Sequence, residues 1–149
     1  IMATTTATIT LSSADLLSDN LSLSATMNLN KGGTTATGLD QFRMERFILP
    51  TGDNQVDLIE ATTAASEDAN YVYLVNKNTD PTHYVIVSIY DVVIGRLYAG
   101  DWMFMPWDSD VVAVGAGGSA IEVQAFVADA TLEYCLFHNG ETRVASDDS

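Results

Sequence analysis

His83, His138 and Cys135 are the side chains of this 149-residue chain best suited to nucleophilic or acid-base work near neutral pH. Cys135 and His138 stand three positions apart in the run TLEYCLFHN, and a thiol beside an imidazole is a nucleophile with its base. Side chains alternate along a β-strand, so positions three apart face opposite ways and meet only across a bulge. Cys135 therefore reads as a small packed or half-exposed thiol. His83 follows a Pro-Thr turn and reads as a solvated residue at the start of a strand. Two histidines are too few for a multi-histidine metal site within one chain. The sequence thus assigns no catalytic, cofactor-binding or metal residue.

Closely spaced oxygen ligands are what a hard cation needs, which raises Asp108-Ser109-Asp110 and Asp147-Asp148 as calcium candidates. Neither carries the longer ligand series and turn glycine of a calcium loop, and both read as solvated acids. Gly115 to Ser119, GAGGS, lacks the Lys-Ser/Thr and the following helix of a phosphate loop. Asn20-Leu21-Ser22 has the form of a glycosylation triplet, relevant only to a secreted chain. Paired carboxylates for glycoside hydrolysis have no motif here.

Charge narrows the partners. Six Lys and Arg stand against 20 Asp and Glu, for a formal net charge of −14. Apart from Arg43 and Arg46 the cations are scattered, so the chain lacks the basic patch that neutralises phosphates or anionic membranes. A large net charge also resists nonspecific association. The opening IMATTTATITLSS has neither the basic residues nor the continuous apolar core of a secretory signal, and no later run is long enough to span a membrane. A soluble chain is expected. Cys135 is the one cysteine, so stability must come from packing or from assembly.

The elements that must position these residues are short and β-rich. Thr6 to Leu11 alternates apolar and polar residues. Leu21 to Leu29 does so more cleanly, with Leu21, Leu23, Ala25, Met27 and Leu29 on one face and Ser, Thr and Asn on the other, which predicts a half-buried strand with a wet outer face. Ser13 is a candidate cap for the turn between them. Asn30 to Gln41 is a Gly/Thr-rich loop. FRMERFIL shows no clear face but precedes a Pro-Thr-Gly-Asp turn, which favours a strand. VDLIEA, YVYLVNK, HYVIVSIYDVVIGRLY, DSDVVAV, IEVQAFVAD and TLEYCLFHN follow as further runs between turn residues. Tyr84 to Ile89 is apolar on both faces in places, which predicts a central strand or one covered by a partner. The link Ala128 to Ala130 predicts an antiparallel hairpin between the last two runs.

About eight to ten short strands at roughly ten-residue spacing predict one all-β domain, an antiparallel β-sandwich or jelly-roll-like barrel. Residues 1–8 are expected to form an extended N-terminal arm, and 141–149 a frayed acidic tail. Sheet edges in such a domain need protection, and a homo-oligomer is one means.

Gly95 to Trp107, GRLYAGDWMFMPW, holds both tryptophans. A turn at Ala99-Gly100-Asp101 is expected to fold it as a hairpin. Beyond the turn, Trp102, Phe104 and Pro106 share one face, and Met103, Met105 and Trp107 the other. A sugar-binding platform needs one aromatic face and a wet rim, whereas both faces here are apolar. A central strand, or one with its second face against another chain, is favoured. Met103, Met105 and Trp107 are the candidate subunit contact.

The run Leu97-Tyr98-Ala99-Gly100-Asp101-Trp102, with Phe104, Pro106-Trp107 and the strand Leu132 to Phe137, resembles small virion structural proteins of tailed bacteriophages. The Ser/Thr-alternating start and Gly38-Leu39-Asp40-Gln41 add to the resemblance, which covers most of the chain but consists of strand and turn signatures. It implies a non-enzymatic capsid decoration (cement) protein that stabilises a phage head. The alternatives are a neck or tail component or, from another class, a carbohydrate-binding module using Tyr98, Trp102 and Trp107. The implied partners are the major capsid protein and further copies of the chain, with no nucleic acid, membrane or cofactor. The implied location is the outer surface of the capsid, where an acidic chain sits more comfortably than beside DNA.

Overall fold

A computed structural model describes residues 4–16, 18–30, 38–39, 41–52, 54–59, 69–108 and 120–138. The fold is all-β, as the spacing of turn residues predicts. Its described strands are β1 (Thr6–Ser13), β2 (Leu21–Asn28), β3 (Gln41–Leu49), β4 (Val56–Ile59), β5 (Ala69–Asn76), β6 (Tyr84–Ile89), β7 (Val92–Tyr98), β8 (Trp102–Asp108), β9 (Ile121–Phe126) and β10 (Ala130–His138). All pair antiparallel. Sheet I has the order β3-β10-β5-β8 and sheet II the order β4-β9-β6-β7, while β1 and β2 form a ribbon of their own.

The core lies between sheets I and II. Alternation along each strand sends every second side chain inward: Val72 and Leu74 of β5 and Leu132, Tyr134 and Leu136 of β10 from sheet I, and Ile121, Val123 and Ala125 of β9 and Val85 and Val87 of β6 from sheet II. All are buried. Each fully buried Leu, Ile or Val stabilises the fold by about 1.5–3 kcal/mol, so the facing sheets hold each other. Placing β6 between β9 and β7 accounts for its apolar character, as expected of a central strand.

Two connections differ from the hairpins expected. β7 belongs to sheet II and β8 to sheet I, so Ala99 to Asp101 is a corner between sheets. Gly100 has φ 86° there, a conformation that glycine adopts without steric penalty. Likewise β9 and β10 lie in different sheets, and the three residues between them bridge the gap. The four Cα–Cα steps from Phe126 to Ala130 reach up to about 13 Å when extended, enough to cross the roughly 10 Å between packed sheets with a tight turn included. Val127 has φ 77°, and the Ala128 N–H donates to the Phe126 carbonyl at 2.9 Å, a γ-turn of the rare positive-φ kind. Loop length and turn chemistry are the same for a hairpin and a corner, so only the packing of the sheets separates them.

One tight hairpin falls where no turn signal stands. Tyr90 and Asp91 have φ 50° and 61° and join β6 to β7. Positive φ at both central residues suits the right-handed twist of a two-residue hairpin, for which Asn-Gly is the usual sequence. Here Glu122 holds the turn, accepting from the Asp91 N–H at 2.8 Å.

Asn76, fully buried, joins the sheets at the β7–β8 corner. Its side-chain NH2 donates to the Leu97 carbonyl of sheet II at 3.0 Å, and its Oδ1 accepts the Asn78 N–H at 3.0 Å. Its backbone N–H donates to Asp101 O at 3.0 Å and its carbonyl accepts from Gly100 N at 2.8 Å. A buried polar group left without a partner costs about 1–3 kcal/mol. Asn76→Ala strands the Leu97 carbonyl and the Asn78 N–H, so urea titration should show a loss of about 2–4 kcal/mol. A loss below about 1 kcal/mol would show that the corner does not depend on this amide.

Candidate interaction surface

The outer face of sheet I is apolar and aromatic. Strand alternation presents Phe42, Met44, Arg46 and Ile48 of β3, Glu133, Cys135 and Phe137 of β10, Tyr71, Tyr73 and Val75 of β5, and Trp102, Phe104 and Pro106 of β8, in rows set by the register. Phe42 stacks near Phe137 with centroids 6.3 Å apart, Tyr71 on Phe104 at 5.7 Å, and Tyr73 tilts against Trp102 at 6.1 Å. Its one described ion pair, Arg46 with Glu133, cancels its own charge, and the guanidinium holds the Glu133 carboxyl below its usual range. Phe42 is 64 %, Ile48 66 % and Trp102 53 % exposed. A contiguous apolar patch of this kind marks a protein-protein or ligand contact.

The ribbon β1–β2 is equally two-faced. Ala7 opposite Met27, Ile9 opposite Ala25 and Leu11 opposite Leu23 form one face. Thr6 with Asn28 and Thr8 with Thr26 form the other, each pair joined by a side-chain hydrogen bond. The strands fall where the alternation predicts, but the half-burial does not hold: Ile9, Leu11, Leu23 and Met27 are all exposed, because the ribbon stands apart from the sandwich. Ser13 does cap the turn, its Oγ accepting from the Leu16 N–H at 3.1 Å. Thr6, Ala7 and Thr8 belong to paired β1, so the N-terminal projection is a hairpin, where a single extended segment over 1–8 was expected. Leu29 and Leu39, both buried, root it, with Leu29 N–H donating to Thr5 O and Leu39 N–H to Leu29 O.

Between arm and sheet runs a groove of about 820 Å3, lined from the arm by Ala7, Thr8, Ile9, Ala25, Thr26 and Met27 and from the sheet by Tyr73, Trp102, Met103, Phe104 and Pro106. β8 has the two faces read from its sequence, but their orientation corrects the expected contact. Trp107 is buried within the core, and Met103 and Met105 pack against that core. That leaves Trp102, Phe104 and Pro106 facing out. β8 is also the end strand of sheet I, not a central one. Pro106 was the available signal, since proline lacks the N–H that a central strand's ladder requires.

β7 ends sheet II and carries a second apolar patch, with Val92, Val93 and Ile94 exposed. Beside it Arg96 stacks over the Tyr84 ring at 4.7 Å, and Tyr84 contacts Tyr98 and Phe126.

Several of the described titratable groups make structural contacts. Glu45 accepts from the Tyr134 hydroxyl and pairs with Arg43. The hydroxyl first and the guanidinium second hold its carboxyl below the usual range. Burial, then Glu45, pushes the Tyr134 phenol upward. β10 runs through Cys135 without a register shift, and burial raises the thiol's pKa, which opposes thiolate formation. His83 lies 3.4 Å from Asp80 at its turn. Among the described residues no group of three or more His, Cys, Asp or Glu is placed to hold a metal. The candidate acids at 109–110 and 147–148, the GAGGS turn, the strand expected in DSDVVAV beyond Asp108, and the tail lie outside the described residues.

No family model and no curated protein matches the chain.

The two tryptophans should separate in urea titrations at low protein concentration. Trp107→Ala should cost about 3–5 kcal/mol as a core truncation, whereas Trp102→Ala should cost under about 1 kcal/mol; equal losses would contradict the orientation of β8. The lowered Glu45 carboxyl adds stability above the ordinary glutamate range, and this is lost as pH falls through its depressed value. Glu45→Gln should therefore narrow the stability difference between pH 6 and pH 3, a window that runs from above the ordinary glutamate value of about 4.3 to below it, and an unchanged difference would remove Glu45 from the acid response.

Proposed function

We propose that this chain is a non-enzymatic virion structural protein, a capsid decoration protein bound to the outer surface of a tailed-phage head. The observation that carries the reading is the pairing of two separate apolar surfaces on a small sandwich of strongly acidic composition: the arm with the outer face of sheet I, and the β7 edge. A decoration protein adds binding area at shell joints and needs contacts to the shell and to its neighbours. An end strand such as β7, with Val92 to Ile94 exposed, is a template for strand addition by a shell protein. The sequence resemblance to small virion structural proteins supports the same class, and the net charge of −14 suits the outside of a shell better than its DNA-filled interior. A neck or tail component uses the same kinds of surface and is the nearest alternative.

The exposed Trp102 beside Tyr73 is what favours a glycan-binding reading. Sugar recognition requires polar groups that fix the hydroxyls, and Thr8 and Thr26 are the hydroxyl-bearing residues of the groove that lie outside its aromatic set. The apolar lining suits protein better than carbohydrate.

Cryo-electron microscopy of the native particle tests the assignment. Density for the sandwich should lie on the outer shell in a fixed ratio to the capsid lattice, with β7 against the shell protein. Density confined to the neck or tail, or a particle without the chain, would overturn it.

A further inference from the structure

We infer that two copies of this chain exchange arms, the apolar face of β1–β2 of one protomer lying on the outer face of sheet I of the other. This goes beyond the shell assignment and does not rest on it.

Both halves of the contact are present on one chain. The arm offers Ile9, Leu11, Leu23 and Met27, and the sheet face offers Phe42, Met44, Ile48 and Trp102, all at least two-fifths exposed. The arm cannot cover its own face. Rooted at Leu29 and Leu39, it reaches only the β5–β8 side, where the groove remains open between them. Phe42, Met44 and Ile48 lie across the sheet on β3, and Leu11 and Leu23 lie beyond the part of the arm that lines the groove.

Area and charge select a second copy as the occupant. A large side chain at half exposure offers on the order of 100 Å2. A reciprocal exchange covers one arm and one face on each protomer, on the order of 800 Å2 per partner, the size of a standard stable interface. A single unreciprocated contact gives about half of that. Two chains of net charge −14 repel, so they associate best where acids are not brought together. β1 and β2 contain no charged residue, and the Arg46–Glu133 pair on the sheet face is neutral. The acids of the arm, Asp15 and Asp19, stand in the turn at its tip, so the paired strands and the sheet face meet without apposing acids.

Light scattering on the full-length chain in solution tests this, using an arm variant (Leu11→Ser with Leu23→Ser) and a face variant (Phe42→Ser with Met44→Ser). These serines replace exposed side chains, and an unchanged near-ultraviolet circular dichroism spectrum shows that each variant keeps its fold. The wild type should show twice the monomer mass and each variant the monomer mass. An equimolar mixture restores one of the two contacts, the intact arm of the face variant on the intact face of the arm variant, so it should associate more than either variant alone but more weakly than the wild type. A monomeric wild type, an arm or face variant that remains dimeric, or a mixture no more associated at any concentration than the variants alone would each overturn arm exchange. Because no particle is involved, a failed shell assignment and a failed exchange remain separate results.

Discussion

Asn76 is buried where the chain turns from sheet II into sheet I, and its amide and backbone groups are all bonded. A side-chain amide in an apolar interior is tolerated only when its donors and acceptors are matched, and one so matched permits a single arrangement of the groups around it. By binding the Leu97 carbonyl of β7 while its own backbone pairs with Gly100 and Asp101, Asn76 sets where β8 begins. That start determines which way β8 faces. With Trp102 as the first outward residue, Trp107 enters the core and Met103 and Met105 pack against it, and the aromatic side chains of Trp102 and Phe104 are left on the surface.

The surface follows from that orientation. Sheet I is lined with large apolar side chains on both faces, although a two-layer sandwich needs only one such face. The inner face meets sheet II, while the outer has only the tip-to-root length of a ribbon beside it, separated by a groove. The ribbon has the reverse composition, one face hydroxyl-rich and one apolar, with no core of its own. Two surfaces that cannot satisfy each other within the chain are the physical basis for reading it as an assembling protein.

The alternation that placed Ile121, Val123, Ala125, Leu132, Tyr134 and Leu136 inward is a property of the strand, so these core positions were legible before any tertiary contact was known. The period-two faces of β1 and β2 were equally legible, but neither of their apolar faces is buried. Less legible was FRMERFIL, because Arg43 and Glu45 occupy inward-parity positions in β3, satisfied by each other and by Tyr134. The Tyr90–Asp91 turn was hidden for another reason: its positive φ values are held by Glu122 from a distant strand rather than by glycine. On β8 the sequence distinguished both faces, then assigned the contact to the inward one.

By itself the sequence determined the all-β class, the period-two faces of most strands, and the acidic balance that disfavours nucleic-acid partners, since each is carried by residue types and local spacing. Tertiary structure alone decided which strands share a sheet, that two short links are corners instead of hairpins, and which face of β8 is buried. A three-residue link closes a hairpin as readily as it spans the 10 Å or so between sheets, and an apolar face carries no local mark of whether its partner lies within the chain or outside it.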